Sequence, residues 1–108
     1  MVIFYQRRGT GRSTKMVEMS SRTGLPIAVS APFQVDRLKW IAKNILDCTI
    51  PDPFVASPEA CRNAGEYIVD DADIILQKLL GGEIAMATVA DDLNSNEEYL
   101  KYLTGRTQ

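Results

Sequence analysis

A chain of 108 residues with a net charge of −2 has room for one domain with a modest core and none for a second. Charged residues make up 24% and aliphatic residues are ample, which excludes a disordered chain. The near-neutral balance gives no bulk attraction to DNA or RNA, but the charge is unevenly placed. Arg7, Arg8, Arg12, Lys15 and Arg22 gather near the amino end, and Asp70, Asp71, Asp73, Asp91, Asp92, Glu97 and Glu98 crowd the later half. No apolar stretch reaches the ~18 residues of a membrane helix, and "MVIFYQRR" lacks the basic-then-apolar order of a secretory signal. A cytoplasmic protein with no membrane partner is expected. Cys48 and Cys61 have no histidine to join them in a zinc site, because the chain contains none, and reduced structural thiols are the default. Without histidine, any catalysis must rest on carboxylates, hydroxyls and cations.

In chain order, "VIFY" (2–5) has the composition of a strand buried on both faces. Gly9 and Gly11 break it, and "RSTKMVEMSSRT" (12–23) predicts a helix stopped by Gly24, with Met16, Met19 and Ser20 on its inner stripe. "IAVSA" (27–31) is a second strand. Pro32 opens an amphipathic helix over 33–46, with Val35, Leu38, Ile41, Ala42 and Ile45 at helical spacing and Trp40 half-buried against it. "FVAS" predicts a short third strand and "SPEACRNA" a short helix with Ser57 as N-cap and Pro58 at its first position. "EYIVDDAD" is an apolar run ending in acid, and "ADIILQKLL" a helix closed by Gly81 and Gly82. "EIAMATVA" (83–90) predicts a last strand. "NSNEEYLKYLTG" predicts a surface helix capped near Ser95, with Tyr99 and Tyr102 packing it onto the sheet. This alternation predicts one α/β domain over 1–108, a three-layer fold with a mainly parallel sheet of about five strands and helices on both faces.

Ligands of open α/β sheets bind beyond the carboxyl ends of strands. The turn "QRRGTGRST" (6–14) has what a phosphate cradle requires there: Gly9 and Gly11 for close backbone approach, Ser13 and Thr14 as hydroxyls, and Arg12 as a cation at a helix start. A basic turn capped by Ser13 accounts for the same residues. In "YIVDDAD" (67–73), a strand ending in aspartate can hold magnesium through water, and the next acid can polarise an attacking water. Asp70, Asp71 or Asp73 can instead be a helix cap. The order of the two motifs, with Thr88 at the end of a later apolar run, favours the phosphate-binding reading.

With these motifs the sequence resembles the P-loop NTPase superfamily. "QRRGTGRST" resembles a degenerate Walker A motif and "YIVDDAD" a Walker B motif with an adjacent catalytic acid. In element order the resemblance covers nearly the whole chain. "TGLPIAVS" and "IPDPFVAS" are similar to the layout of short P-loop proteins of Gram-positive bacteria and their phages. The resemblance implies that ATP or GTP binds with Mg²⁺, its phosphates wrapped by Gly9, Thr10, Gly11, Arg12, Ser13 and Thr14. It implies further that Ser13 ligates the metal, Asp70 holds its water shell, Asp71 stands at the base position and Thr88 senses the γ-phosphate. Two positions depart from G-x-x-x-x-G-K-[ST]: Gln6 replaces the first glycine and Arg12 the lysine. Arginine and lysine are not equivalent at such a site, so weak or absent hydrolysis is expected.

Three functions follow. The first is a nucleotide-binding domain, a nucleoside triphosphatase if it turns over at all, completed by an arginine from another protomer because no spare cation is visible opposite the loop. The second is an inactive P-loop scaffold that engages a protein partner, for instance a phage-encoded modulator of a host nuclease or replication protein. The third is a nucleic-acid accessory protein that uses Arg7, Arg8, Arg12, Lys15 and Arg22 as a phosphate-contacting patch.

Overall fold

A computed structural model describes residues 1–4, 11–89 and 100–103. Its elements are α1 (Arg12–Thr23), β1 (Ile27–Val29), α2 (Pro32–Asn44), β2 (Phe54–Val55), α3 (Pro58–Ala64), β3 (Ile68–Val69) and α4 (Ala72–Leu80). Residues 100–103 are helical as well. β1 is the central strand of a three-stranded sheet of order β2-β1-β3 and runs parallel to both neighbours. Ala28 is registered on Phe54 on one side, and Ile27 on Ile68 on the other.

The α/β class is as expected, but the sheet has three strands among the described residues rather than about five. Residues 2–4 and 83–89 are not strands; Tyr5 and Ala90 lie outside the described residues. An apolar run becomes a strand only where a neighbouring backbone completes its hydrogen bonds and its side chains find a surface to cover. Residues 83–89 bury no alternate face: Met86 is 91% exposed, and Ala85, Ala87 and Thr88 are exposed too.

Local chemistry explains the helix boundaries. Gly11 and Gly24 flank α1 in the left-handed region, at φ 81° and 74°, where a side chain would be strained. The Gly24 N–H donates to the Ser20 carbonyl at 2.9 Å, and the buried Ser20 hydroxyl donates to the Leu25 carbonyl at 2.6 Å. The α3 cap is the expected one, with Ser57 Oγ accepting from the Ala60 N–H at 3.1 Å and Pro58 in the first turn. α2 starts at Pro32 but ends at Asn44, two residues early. Ile45 is therefore a helix cap, exposed rather than part of the inner stripe, and Trp40 is 57% exposed rather than half-buried.

The core forms where α1 and α2 pack on each other and on β1. Met16, Val17 and Met19 meet Leu38, Ile41 and Ala42 above Ile27 and Val29. Val17, absent from the expected stripe, is fully buried. Alternate strand residues face opposite sides, so Ala28 points away from this cluster, and it is fully buried as well. Each large side chain removed from water contributes about 1.5–3 kcal/mol. Because β1 and β3 are parallel, their carboxyl ends emerge at one edge of the sheet, where α2 and α4 begin.

Leu38 is 1% exposed in the α1–α2 seam. Leu38→Ala is expected to cost about 2–5 kcal/mol, a large part of the ~5–15 kcal/mol stability of such a domain. Urea denaturation with an unchanged m-value would measure it.

Candidate functional site

The first turn of α1 lies against the residues that follow β3. The helix start carries no side-chain cap and no acidic residue in its own first turn, and the carboxylates that face its positive pole come from the end of β3. Ser13 does not cap the helix. Its hydroxyl donates to Asp70 Oδ2 at 3.0 Å, joining positions 57 apart in the chain. Beside this pair lies a cavity of about 230 Å³ lined by Gly11, Arg12, Ser13, Thr14, Gln34, Arg37, Leu38, Ile41, Asp70 and Asp71.

Asp70 ends β3, with its N–H donating to the Ala28 carbonyl at 3.1 Å. It is 5% exposed, the only charged residue in the buried set among the described residues. Burial pushes its pKa above the ordinary carboxylate value and the neighbouring Asp71 charge adds to this. The Ser13 hydroxyl, the Arg12 guanidinium and the Asp71 N–H oppose it.

Asp71 precedes α4 in the left-handed region, at φ 57° and ψ 55°, a conformation that aspartate tolerates better than most residues. Its carboxylate makes no cap bond. Oδ1 pairs with Arg12 at 3.1 Å, and Oδ2 accepts from Gln34 Nε2 at 3.3 Å. The carbonyl oxygen of the Gln34 amide accepts from the Ser30 N–H (2.9 Å), the Ser30 hydroxyl (2.7 Å) and the Ala31 N–H (3.2 Å). These bonds fix which end of the amide faces Asp71 and tie Asp71 to the carboxyl end of β1.

The Ser13 hydroxyl and the Asp70 carboxylate are a pair of hard oxygen donors. Among the described residues no group of three or more carboxylate or thiol side chains gathers that could hold a metal by itself. This donor set suits Mg²⁺, which needs six oxygens and commonly takes one or two from protein and the rest from phosphate and water. The buried carboxylate, with its raised pKa, is the group that a cation would relieve.

Of the residues singled out in the sequence, Gly11, Arg12, Ser13, Thr14, Asp70 and Asp71 come together here. Gly9 and Thr10 lie outside the described residues. Thr88 is exposed on the segment that forms no strand, and it does not line the cavity. Of the basic cluster, Arg7 and Arg8 lie outside the described residues. Arg12 pairs with Asp71, Arg22 with Glu18 at 3.5 Å, and the Lys15 ammonium sits 5.3 Å from the Phe4 ring centre. Sequence reasoning missed Gln34 and Arg37. Their spacing of three, one turn apart on the helix that follows β1, was the available signal.

Comparison with protein-family models, with curated proteins and with solved structures gives no match.

An acid whose folded pKa lies above its unfolded value stabilises the fold most below both values, and the contribution is lost as pH rises through the folded one. The ligand-free protein is therefore expected to lose stability as Asp70 ionises on going from acid toward neutral pH. Asp70→Asn should remove that part of the pH dependence. Urea midpoints of the two proteins across this range, taken as a difference at each pH, would measure it.

Proposed function

We propose that the chain is a P-loop-like domain that binds ATP or GTP through its phosphates, together with Mg²⁺, and has weak or no intrinsic hydrolysis. The observation that carries this reading is the 3.0 Å Ser13–Asp70 hydrogen bond at the uncapped start of α1. In that arrangement a metal hydroxyl ligand, a metal-orienting carboxylate and free helix N–H groups surround one small cavity. Ser13 and Asp70 would hold the ion, and the ion would supply charge neutralisation between the phosphates. The N–H groups of Gly11 to Thr14 would bind the phosphate oxygens.

The cavity, at about 230 Å³, is below the ~300–1,000 Å³ usual for a site that encloses a whole small ligand. It suits a phosphate tail with the ribose and base outside. Weak hydrolysis is supported by the state of Asp71, both of whose carboxylate oxygens already have a protein partner that draws on the charge a water-orienting base would use. In this reading the fold is the three-layer one, and the complete burial of Ala28 on the sheet face opposite the α1–α2 core supports it.

A second reading, the scaffold without turnover, is favoured by a different observation. Leu76, Leu79 and Leu80 leave an apolar stripe exposed along α4, a feature of surfaces that meet a protein partner.

Thermal unfolding with and without millimolar Mg-ATP and Mg-GTP separates the two readings. A ligand held only by the folded state adds about 2.7 kcal/mol at a hundredfold excess over Kd. The expected result is a shift that needs Mg²⁺ and disappears in Ser13→Ala and in Asp70→Asn. No shift with either nucleotide would sink the nucleotide reading and leave the scaffold standing.

A further inference from the structure

We propose that the cation that binds the terminal phosphate is Arg37, supplied from α2 of the same chain, rather than Arg12 of the loop. The inference rests on the nucleotide-binding reading and deepens it. Two arginines line the cavity, and their circumstances differ. The Arg12 guanidinium is paired with Asp71 Oδ1 at 3.1 Å, a carboxylate whose other oxygen is fixed by Gln34. To reach a phosphate, Arg12 must abandon that acid and leave the Asp71 charge uncompensated beside the Asp70 carboxylate. Arg37 lines the same cavity, and no carboxylate among the described residues lies within ion-pair distance of it.

The backbone that carries Arg37 is held firmly. Gln34, one turn earlier, is anchored to the carboxyl end of β1 by three hydrogen bonds. Leu38, the next residue, is buried in the core. A guanidinium on such a support is a planar, five-donor fork, of the kind that recognises a phosphate in bidentate fashion, and it lines the cavity that the start of α1 also lines. Arg37 has no ion pair among the described residues to give up when an anion arrives. Arg12 then keeps Asp71 in place, and an arginine from another protomer is not required.

The test measures binding of Mg-ATP, magnesium triphosphate and AMP by titration calorimetry to the wild type and to Arg37→Ala, Arg37→Lys and Arg12→Ala. Circular dichroism confirms that each variant is folded. Loss of a charge-assisted contact should weaken Mg-ATP and inorganic triphosphate binding to Arg37→Ala by about 10- to 100-fold, and by a similar factor for both. The weaker AMP interaction should not change, Arg37→Lys should recover part of the loss, and Arg12→Ala should lose less than Arg37→Ala. If the wild type binds Mg-ATP and Arg37→Ala binds it equally well, the assignment to Arg37 is overturned and the nucleotide reading survives. A wild type that binds neither Mg-ATP nor triphosphate overturns both. Weakening toward Mg-ATP alone, with triphosphate unaffected, would place Arg37 on the nucleoside and also overturn the assignment.

Discussion

The hydrogen bond between Ser13 and Asp70 ties the amino end of the first helix to the end of a strand 57 residues later. The rest of the site is arranged around it. α1 packs on α2 and β1 through Val17, Met19 and Leu38, and that packing carries its first turn to the sheet edge where β3 ends. Asp70 is buried at that edge because its backbone completes the β1–β3 ladder, so its carboxylate has nowhere else to go. A buried carboxylate is costly unless something answers its charge. The Ser13 hydroxyl, the Arg12 guanidinium and the Asp71 N–H answer it in part, while burial holds its pKa above the ordinary carboxylate value.

The neighbouring acid is handled in the opposite way. Asp71 takes a left-handed backbone conformation, and its carboxylate meets Arg12 and Gln34, of which Gln34 is itself held by Ser30 and Ala31. Two adjacent aspartates thus have different chemistry because of their surroundings alone. One is buried, raised in pKa and bonded to Ser13; the other is half-buried and paired with Arg12 and Gln34. This division is what the proposed binding site without efficient turnover rests on, and the second cavity arginine, Arg37, takes no part in it.

The surface beyond the cavity has a different character. Leu76, Leu79 and Leu80 on α4 and Phe33 and Trp40 on α2 stand exposed, while the main core cluster lies in the α1–α2–β1 seam and only Ala28 and Ile75 are buried hydrophobics outside it among the described residues. With three short strands among the described residues, the sheet leaves some of the apolar side chains on its helices uncovered.

Much of this was legible in the sequence wherever the cause was local. The start and stop of α1, the Ser57 cap of α3 and the glycine that closes α4 follow from glycine at positive φ, proline in a first turn and a hydroxyl at an N-cap, and the structure places them as read. The loop residues Gly11 to Thr14 and the acids Asp70 and Asp71 were also identifiable, because glycines, hydroxyls and carboxylates at strand ends form a short-range pattern. Tertiary structure decided what depends on distant partners. Residues 2–4 and 83–89 have strand composition but no ladder to join, since pairing is a property of two segments. Ser13 is the partner of Asp70 rather than a helix cap, and Asp71, although it stands at the N-cap position of α4, turns its carboxylate to Arg12 instead of making a cap bond, because each found a group far along the chain. Gln34 and Arg37 entered the site for the same reason: their spacing of three puts them on one helix face, but only the packing of α2 beside β1 carries that face to the cavity.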